Sequence, residues 1–405
     1  MLKKAAWITV IVLWALILAS SLFARVEADD YCFASLLQVT DPVGSLPVWY
    51  ASWAGRFSQQ LLHGAFAAAE PFGTRLGVPL LLGAGVLAWW YAFALWYSRR
   101  DALLLSLSLG AALVLCRPND EPIFWLAGIT SYWTPFVCIG LLIGTLRRRR
   151  TLLSALIAFF AVAFSETGGA LILLGLGLAF LFWKGERKRI LLVLACALAG
   201  YLIMAVAPGN AVRKSAFVPV ELTPYYVLRV AVAGFATNVI LSFIYAALPG
   251  LFFSGMGAIL KPPFSVQRLP LIFLGLVLGA AFVLAVLAVI ANGWGLGERA
   301  IYLLTPLWLA QWFMLGALIG KRFPGWGWVA VVAGVVLMIM AGRHVVERAA
   351  YAQRWDARHA AILAGYRVPG DIGSWDTLMN TGWALACAEA WYDRDIRFVD
   401  GGNVP

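Results

Sequence analysis

RRRRTLLSALIAFFAVAFSETGGALILLGLGLAFLFWKGERKR, residues 147–189, holds two apolar runs, Leu152–Phe164 and Gly169–Trp183, with Ser165-Glu166-Thr167 between them and basic turns outside them. A soluble helix would carry polar residues along one face with a period near 3.6. Here the charges leave the runs altogether and gather at their ends. The pattern predicts a helical hairpin in a membrane, with Glu166 at the tip and both basic turns on the opposite side.

The same alternation extends in both directions. Measured against the roughly 20 residues needed to cross the hydrocarbon core, further spans are expected near Ala5–Phe23, Leu76–Tyr97, Ala102–Cys116, Trp133–Leu146, Ile190–Val206, Tyr225–Leu248, Leu269–Ala291, Arg299–Gly320 and Gly327–Gly342. With the central hairpin these make about 11 transmembrane helices. The first is read as a retained helix, not a cleavable signal, because its apolar region is long, although Val26-Glu27-Ala28 loosely resembles a cleavage site.

Composition agrees. The 405-residue chain is 62% hydrophobic and 13% charged, far from the roughly 25% charged usage of soluble domains. Its formal charge of +11 does not indicate nucleic acid, because the basic residues fall in short turns between apolar spans. Lys3 and Lys4, Ser98-Arg99-Arg100, Arg147–Arg150, Lys184–Arg189, Lys261–Arg268 and Lys321-Arg322 hold sixteen of the 31 Lys and Arg, with only Asp101 and Glu186 opposing them. The positive-inside rule puts these turns in the cytoplasm. The amino terminus is then cytoplasmic and the carboxyl terminus external. The transmembrane module covers 1–342 and a small external helical cap covers 343–405.

Segment 25–75 is too polar for a simple span, yet Trp49, Trp53, Phe57, Leu61 and Leu62 recur at helical spacing, which predicts an amphipathic interfacial helix in the first external loop. The cap alternates charge with Trp355, Trp375, Trp383 and Trp391 and carries turn signals at Pro369-Gly370 and Asn380-Thr381-Gly382. The five cysteines show neither CxxC nor Cys/His clustering, so neither a zinc site nor a disulfide framework is suggested and most read as apolar packing residues; three scattered histidines do not suggest a metal site.

Ionisable groups at membrane depth are costly and usually face a cavity or a partner. Asp29 and Asp30 directly follow the first span and read either as a hydrated helix end or as a functional pair, in which one carboxylate faces a substrate as general base while the other orients it or binds a phosphate-bridging metal. Arg56, Arg213 with Asn210, and Arg299 with Glu298 lie at the external connections. They read either as snorkelling interface residues or as guanidinium forks for phosphate. Arg117, Asn119, Asp120 and Glu121, followed by Trp125, Tyr132 and Trp133, mix carboxylate, amide and ring faces. That mixture suits a sugar, although an interfacial aromatic belt has the same composition. Glu166 is a further substrate or supporting contact.

The ordered set Asp29-Asp30-Tyr31, Gly55-Arg56-Phe57, Trp125 to Pro135, Ser165-Glu166-Thr167, Pro208-Gly209-Asn210 with Arg213, and Glu298-Arg299 resembles a bacterial branch of the GT-C superfamily of membrane glycosyltransferases. The resemblance covers about three quarters of the chain and implies an all-α polytopic bundle whose first external loop carries the catalytic carboxylate. It implies a polyprenyl-phosphate-linked sugar as donor, a glycan or glycolipid acceptor, inversion at the anomeric carbon and a site on the outer face of a bacterial inner membrane. The base would be Asp29 or Asp30, with Asp29 favoured as nearer the helix end. Arg56, Arg213 and Arg299 would hold the donor phosphate, and Tyr31 joins the substrate-binding set. The external domain of about sixty residues is smaller than in the larger members. No cofactor motif is visible, and a divalent cation (Mg or Mn) remains open. The alternatives are a lipid-linked sugar flippase or transporter, which needs polar groups along a full transmembrane path, and an O-antigen ligase or polymerase-like enzyme, which depends on a large late external loop.

Overall fold

Apolar runs without water must satisfy their backbone groups internally, so they fold as helices. The computed structural model describes residues 1–116, 121–216, 223–263, 269–292, 302–369, 372 and 382–398. Among these, α1 (Leu2–Ser21) leads into three short helices, α2 (Asp29–Leu36), α3 (Ser45–Ser52) and α4 (Phe57–Ala67). Then come α5 (Phe72–Phe93), α6 (Arg99–Val114), α7 (Glu121–Phe124), α8 (Leu126–Arg147), α9 (Thr151–Ala161), α10 (Glu166–Phe182), α11 (Arg187–Ala205) and α12 (Pro208–Ala216). The chain continues through α13 (Pro224–Leu260), α14 (Leu269–Asn292), α15 (Thr305–Arg322), α16 (Trp328–Leu363) and α17 (Gly382–Tyr392). Among the described residues the only extended pairing is an isolated bridge between Val368 and Phe398.

Among the described residues, seven helical stretches are long and apolar enough to cross a membrane: Leu2–Ser21, Phe72–Phe93, Leu126–Arg147, Lys184–Ala205, Pro224–Leu260, Tyr302–Arg322 and Pro324–Leu363. Three shorter apolar helices, Thr151–Ala161, Glu166–Phe182 and Pro270–Val286, lie among them. The helices pack through small residues that let backbones approach. At Gly316, for example, a Cβ would stand 1.8 Å from the carbonyl oxygen of Ser254.

The bundle has two chemically different ends. At one, Lys3 pairs with Asp101, Arg147 covers the rings of Trp96 and Trp183, and Arg148 lies 3.8 Å from the Tyr91 ring centroid while donating to the Tyr91 carbonyl. The other end gathers α2–α4, the start of α8, the tip at Ser165, α12 and the distal half of α16. Ser165 caps α10 there, accepting from the Gly168 amide at 3.1 Å.

Three expectations change. The single amphipathic helix of 25–75 is three short helices, because Pro42-Val43-Gly44 and Ala54-Gly55 interrupt it. The last span does not stop at Gly342: α16 runs 36 residues unbroken, since good helix formers follow that glycine. The cysteine spacing suggests no disulfide, yet one forms. Cys32 on α2 and Cys387 on α17 form a disulfide across 355 residues, a separation that leaves no local spacing to read. Cys116, Cys138 and Cys196 are free. Trp375 and the turns at Gly370 and Asn380-Thr381 lie outside the described residues.

Candidate functional site

The site is built from the close crossing of two connections. A Cβ at Gly55 would stand 2.0 Å from the Met204 carbonyl oxygen, and one at Gly209 would stand 2.5 Å from the Trp53 amide nitrogen. Both contacts exclude any larger residue, so the α3–α4 turn can lie directly on the α11–α12 turn. Asn210 seals the crossing by accepting from the Gly55 amide at 3.3 Å and donating to the carbonyls of Met204 and Ala205. It holds backbone together and does not line the cleft.

That crossing brings Arg56 and Arg213 to opposite oxygens of one carboxylate. Arg56 Nε donates to Glu166 Oε2 at 2.8 Å and its Nη2 lies 2.6 Å from the same oxygen, while Arg213 Nη2 donates to Oε1 at 2.7 Å. Glu166, at the tip of the hairpin, therefore orients two guanidiniums that each keep further N–H groups. The arginines line a cleft with a cavity volume of about 50 Å³. Asp29, Trp49, Trp53, Gln59, Gln60, Trp125, Ser131 and Tyr132 complete its polar and aromatic wall.

The two aspartates have separate places. Ala28, at φ 42° and ψ −112°, holds a left-handed conformation unfavourable to any residue with a side chain, and the turn it makes starts α2. Asp29 follows half-buried on the cleft wall. Asp30 turns inward and is fully buried. Its carboxylate accepts from the amides of Glu27 at 3.1 Å and Ala127 at 3.2 Å, and its Oδ1 lies 3.1 Å from His63 Nε2. His63 is equally buried; its Nδ1 lies 3.2 Å from Gln59 Nε2, and Phe33 stacks on its ring at 3.9 Å. Burial pushes Asp30 up from the ordinary carboxylate range and holds His63 down at about 3. Charge is thus disfavoured on both partners, and together they tie α2, α4 and the start of α8 into one wall.

Trp125 donates to the Glu27 carbonyl at 3.0 Å and keeps its ring on the cleft. Tyr132 and Ser131 reach the cleft from a π-helical stretch, Ile129–Trp133, of the kind that often re-aims side chains at functional sites. Tyr31 does not line the cleft: it is buried beside Trp391 and Tyr392, where Trp355 donates to its hydroxyl at 3.1 Å. Arg117, Asn119, Asp120, Glu298 and Arg299, and the side chain of Glu121, lie outside the described residues.

Among the described residues no group of three or more His, Cys, Asp and Glu is placed to hold a metal. Compared with protein families, curated proteins and solved structures, the chain matches none. Its functional reading rests on the chemistry of the cleft. Sequence reasoning missed Gln59, Gln60 and His63. Their signal was three polar side chains within five positions of an otherwise apolar interfacial segment, with Gln59 and His63 four apart on one helix face.

Proposed function

We propose that the protein is an inverting membrane glycosyltransferase of GT-C type, moving a sugar from a polyprenyl-phosphate donor to a hydroxyl of a glycan or glycolipid acceptor. The observation that carries this reading is the shared cleft: a half-buried carboxylate, Asp29, lies in one wall with two arginines and three tryptophans. Asp29 takes the proton of the acceptor hydroxyl, and the acceptor oxygen bonds to the anomeric carbon. The bond from that carbon to the phosphate oxygen breaks with its electron pair on the phosphate. Arg56 and Arg213 meet the growing phosphate charge with N–H groups already aligned by Glu166, so little reorganisation is required during the step. The tryptophan rings suit the C–H faces of a pyranose. Asp30, without a surface to the cleft, supports the wall instead of taking the proton.

The bundle is read as about eleven spans in a bacterial inner membrane, with the amino terminus and the basic end cytoplasmic and the cleft external. The Cys32–Cys387 disulfide at the cleft end supports that orientation, because such bonds persist in oxidising compartments outside the cytoplasm. The concentration of polar side chains at one end favours chemistry there over a path through the bilayer.

The test is a deletion strain complemented by wild type or by Asp29→Asn at equal membrane levels, with lipid-linked sugars and envelope glycans measured by mass spectrometry. Wild type restores the glycan and Asp29→Asn leaves the donor accumulated, with turnover at least about 100-fold lower, as for loss of a general base. Full glycan modification by Asp29→Asn overturns the assignment.

A further inference from the structure

Two polar atoms in the cleft wall have no partner among the described residues: Trp49 Nε1, a donor, and Gln60 Oε1, an acceptor. Both belong to residues that line the same cleft as Asp29. Gln60 is 2% exposed, and its Nε2 donates to the Ala54 carbonyl at 2.6 Å. That bond fixes the amide: rotating it by half a turn would set Oε1 against a carbonyl oxygen, so Oε1 is the end left over. Trp49 is held just as firmly, its ring stacked on Phe33 at 4.3 Å and 20°, with Phe33 stacked in turn on His63. Buried polar atoms in folded proteins are mostly satisfied, and one that is not calls for a physical explanation such as strain, a functional role or a bound polar group.

The pair also identifies its ligand by chemistry. An acceptor oxygen repels phosphate and carboxylate, and an indole N–H does not attract a cation. A carbohydrate carries several hydroxyls, each able to donate and to accept without carrying charge, so its ring can serve a lone donor and a lone acceptor at separate points. The arginines supply charge for an anion in the same cleft, while this pair supplies neutral groups. We infer that Trp49 and Gln60 form a hydroxyl-reading subsite that binds the sugar ring of a glycosylated lipid head group, with Trp53 and Trp125 available to its C–H faces. The subsite deepens the proposed function by assigning the side chains that read the carbohydrate. The binding itself does not require that transfer occurs.

The experiment uses full-length protein in lipid nanodiscs and photoreactive amphiphiles carrying a diazirine in an octyl chain. Three have sugar head groups, β-glucoside, β-galactoside and β-N-acetylglucosaminide, and a fourth carries tetraethylene glycol, which lacks the array of ring hydroxyls. Adducts are mapped by mass spectrometry to the 45–67 segment. At least one glycoside should label that segment about fivefold more than the glycol ether, and excess unlabelled glycoside should suppress the signal. Trp49→Phe keeps an aromatic ring against Phe33 while removing the indole N–H and one of its two rings; Gln60→Leu removes the acceptor together with the donor to the Ala54 carbonyl. Each should bring labelling down to the ether level, with thermal unfolding of Trp49→Phe unchanged as the check on folding.

Equal labelling by all four amphiphiles, or labelling undiminished in Trp49→Phe and Gln60→Leu alike, overturns the subsite. The two readings fail separately. Asp29-dependent transfer without selective labelling removes the subsite and leaves the enzyme. Selective labelling lost in both variants, with no transfer by wild type, leaves the subsite and removes the enzyme.

Discussion

At the scale of single residues, two adjacent carboxylates do opposite work because a backbone turn sends them to opposite sides of a wall. Asp29 meets the cleft, whereas Asp30 is sealed against His63 and two backbone amides. This has a consequence for pH. His63 has a folded pKa near 3 against 6.5 when free, so the stability it contributes is complete above pH 6.5 and is lost as pH falls toward 3. Asp30 acts with the opposite sign: raised by burial, it contributes stability at low pH that disappears as pH rises through its folded value. Comparison of His63→Gln with wild type isolates the histidine. Between pH 6.5 and 4 the unfolding temperature of wild type should fall more steeply than that of His63→Gln, measured by differential scanning fluorimetry; parallel slopes would show that His63 is not held neutral. Adjacent aspartates are visible in a sequence, but the turn at Ala28 that separates them is not, because it places alanine where glycine is the usual residue.

Among elements, the decisive contact is between two turns. Gly55→Ala should force the α3–α4 turn off the α11–α12 turn, since its new Cβ would overlap the Met204 carbonyl. Overpacking of this kind costs about 1–3 kcal/mol. The expected outcome is an unfolding temperature lowered by several degrees together with lost transfer, because Arg56 leaves Glu166. Retention of both would mean that the crossing is not what aligns the arginines. The short motifs Gly55-Arg56 and Pro208-Gly209-Asn210 were legible as separate marks along the chain, and apolar periodicity was enough to find the helices. Their meeting was not legible, because it depends on a three-dimensional crossing between residues about 150 positions apart. The break of the first loop into three helices was present in Pro42-Val43-Gly44 and Ala54-Gly55, but the spacing of Trp49, Trp53 and Phe57 masked it by continuing across the second break.

Across the whole molecule, the two ends differ in charge, and the cleft end is tied together by links from distant parts of the chain. Asp356 on α16 accepts two bonds from Arg25 and one from Arg75, all at 2.8 Å, while Cys387 joins α17 to α2. If the cleft end faces an oxidising compartment, maleimide-polyethylene glycol added to denatured whole-cell protein should modify three thiols without reductant and five with it, read as gel shifts. Five modified thiols without reductant would oppose the proposed orientation. The tie also imposes an order on assembly. Cys32 leaves the ribosome 355 residues before its partner, so the wall bearing Asp29 waits for that whole stretch before it can be locked. A product truncated anywhere before α17 would insert its helices and still lack that lock, so synthesis through α17 is a condition for a finished site.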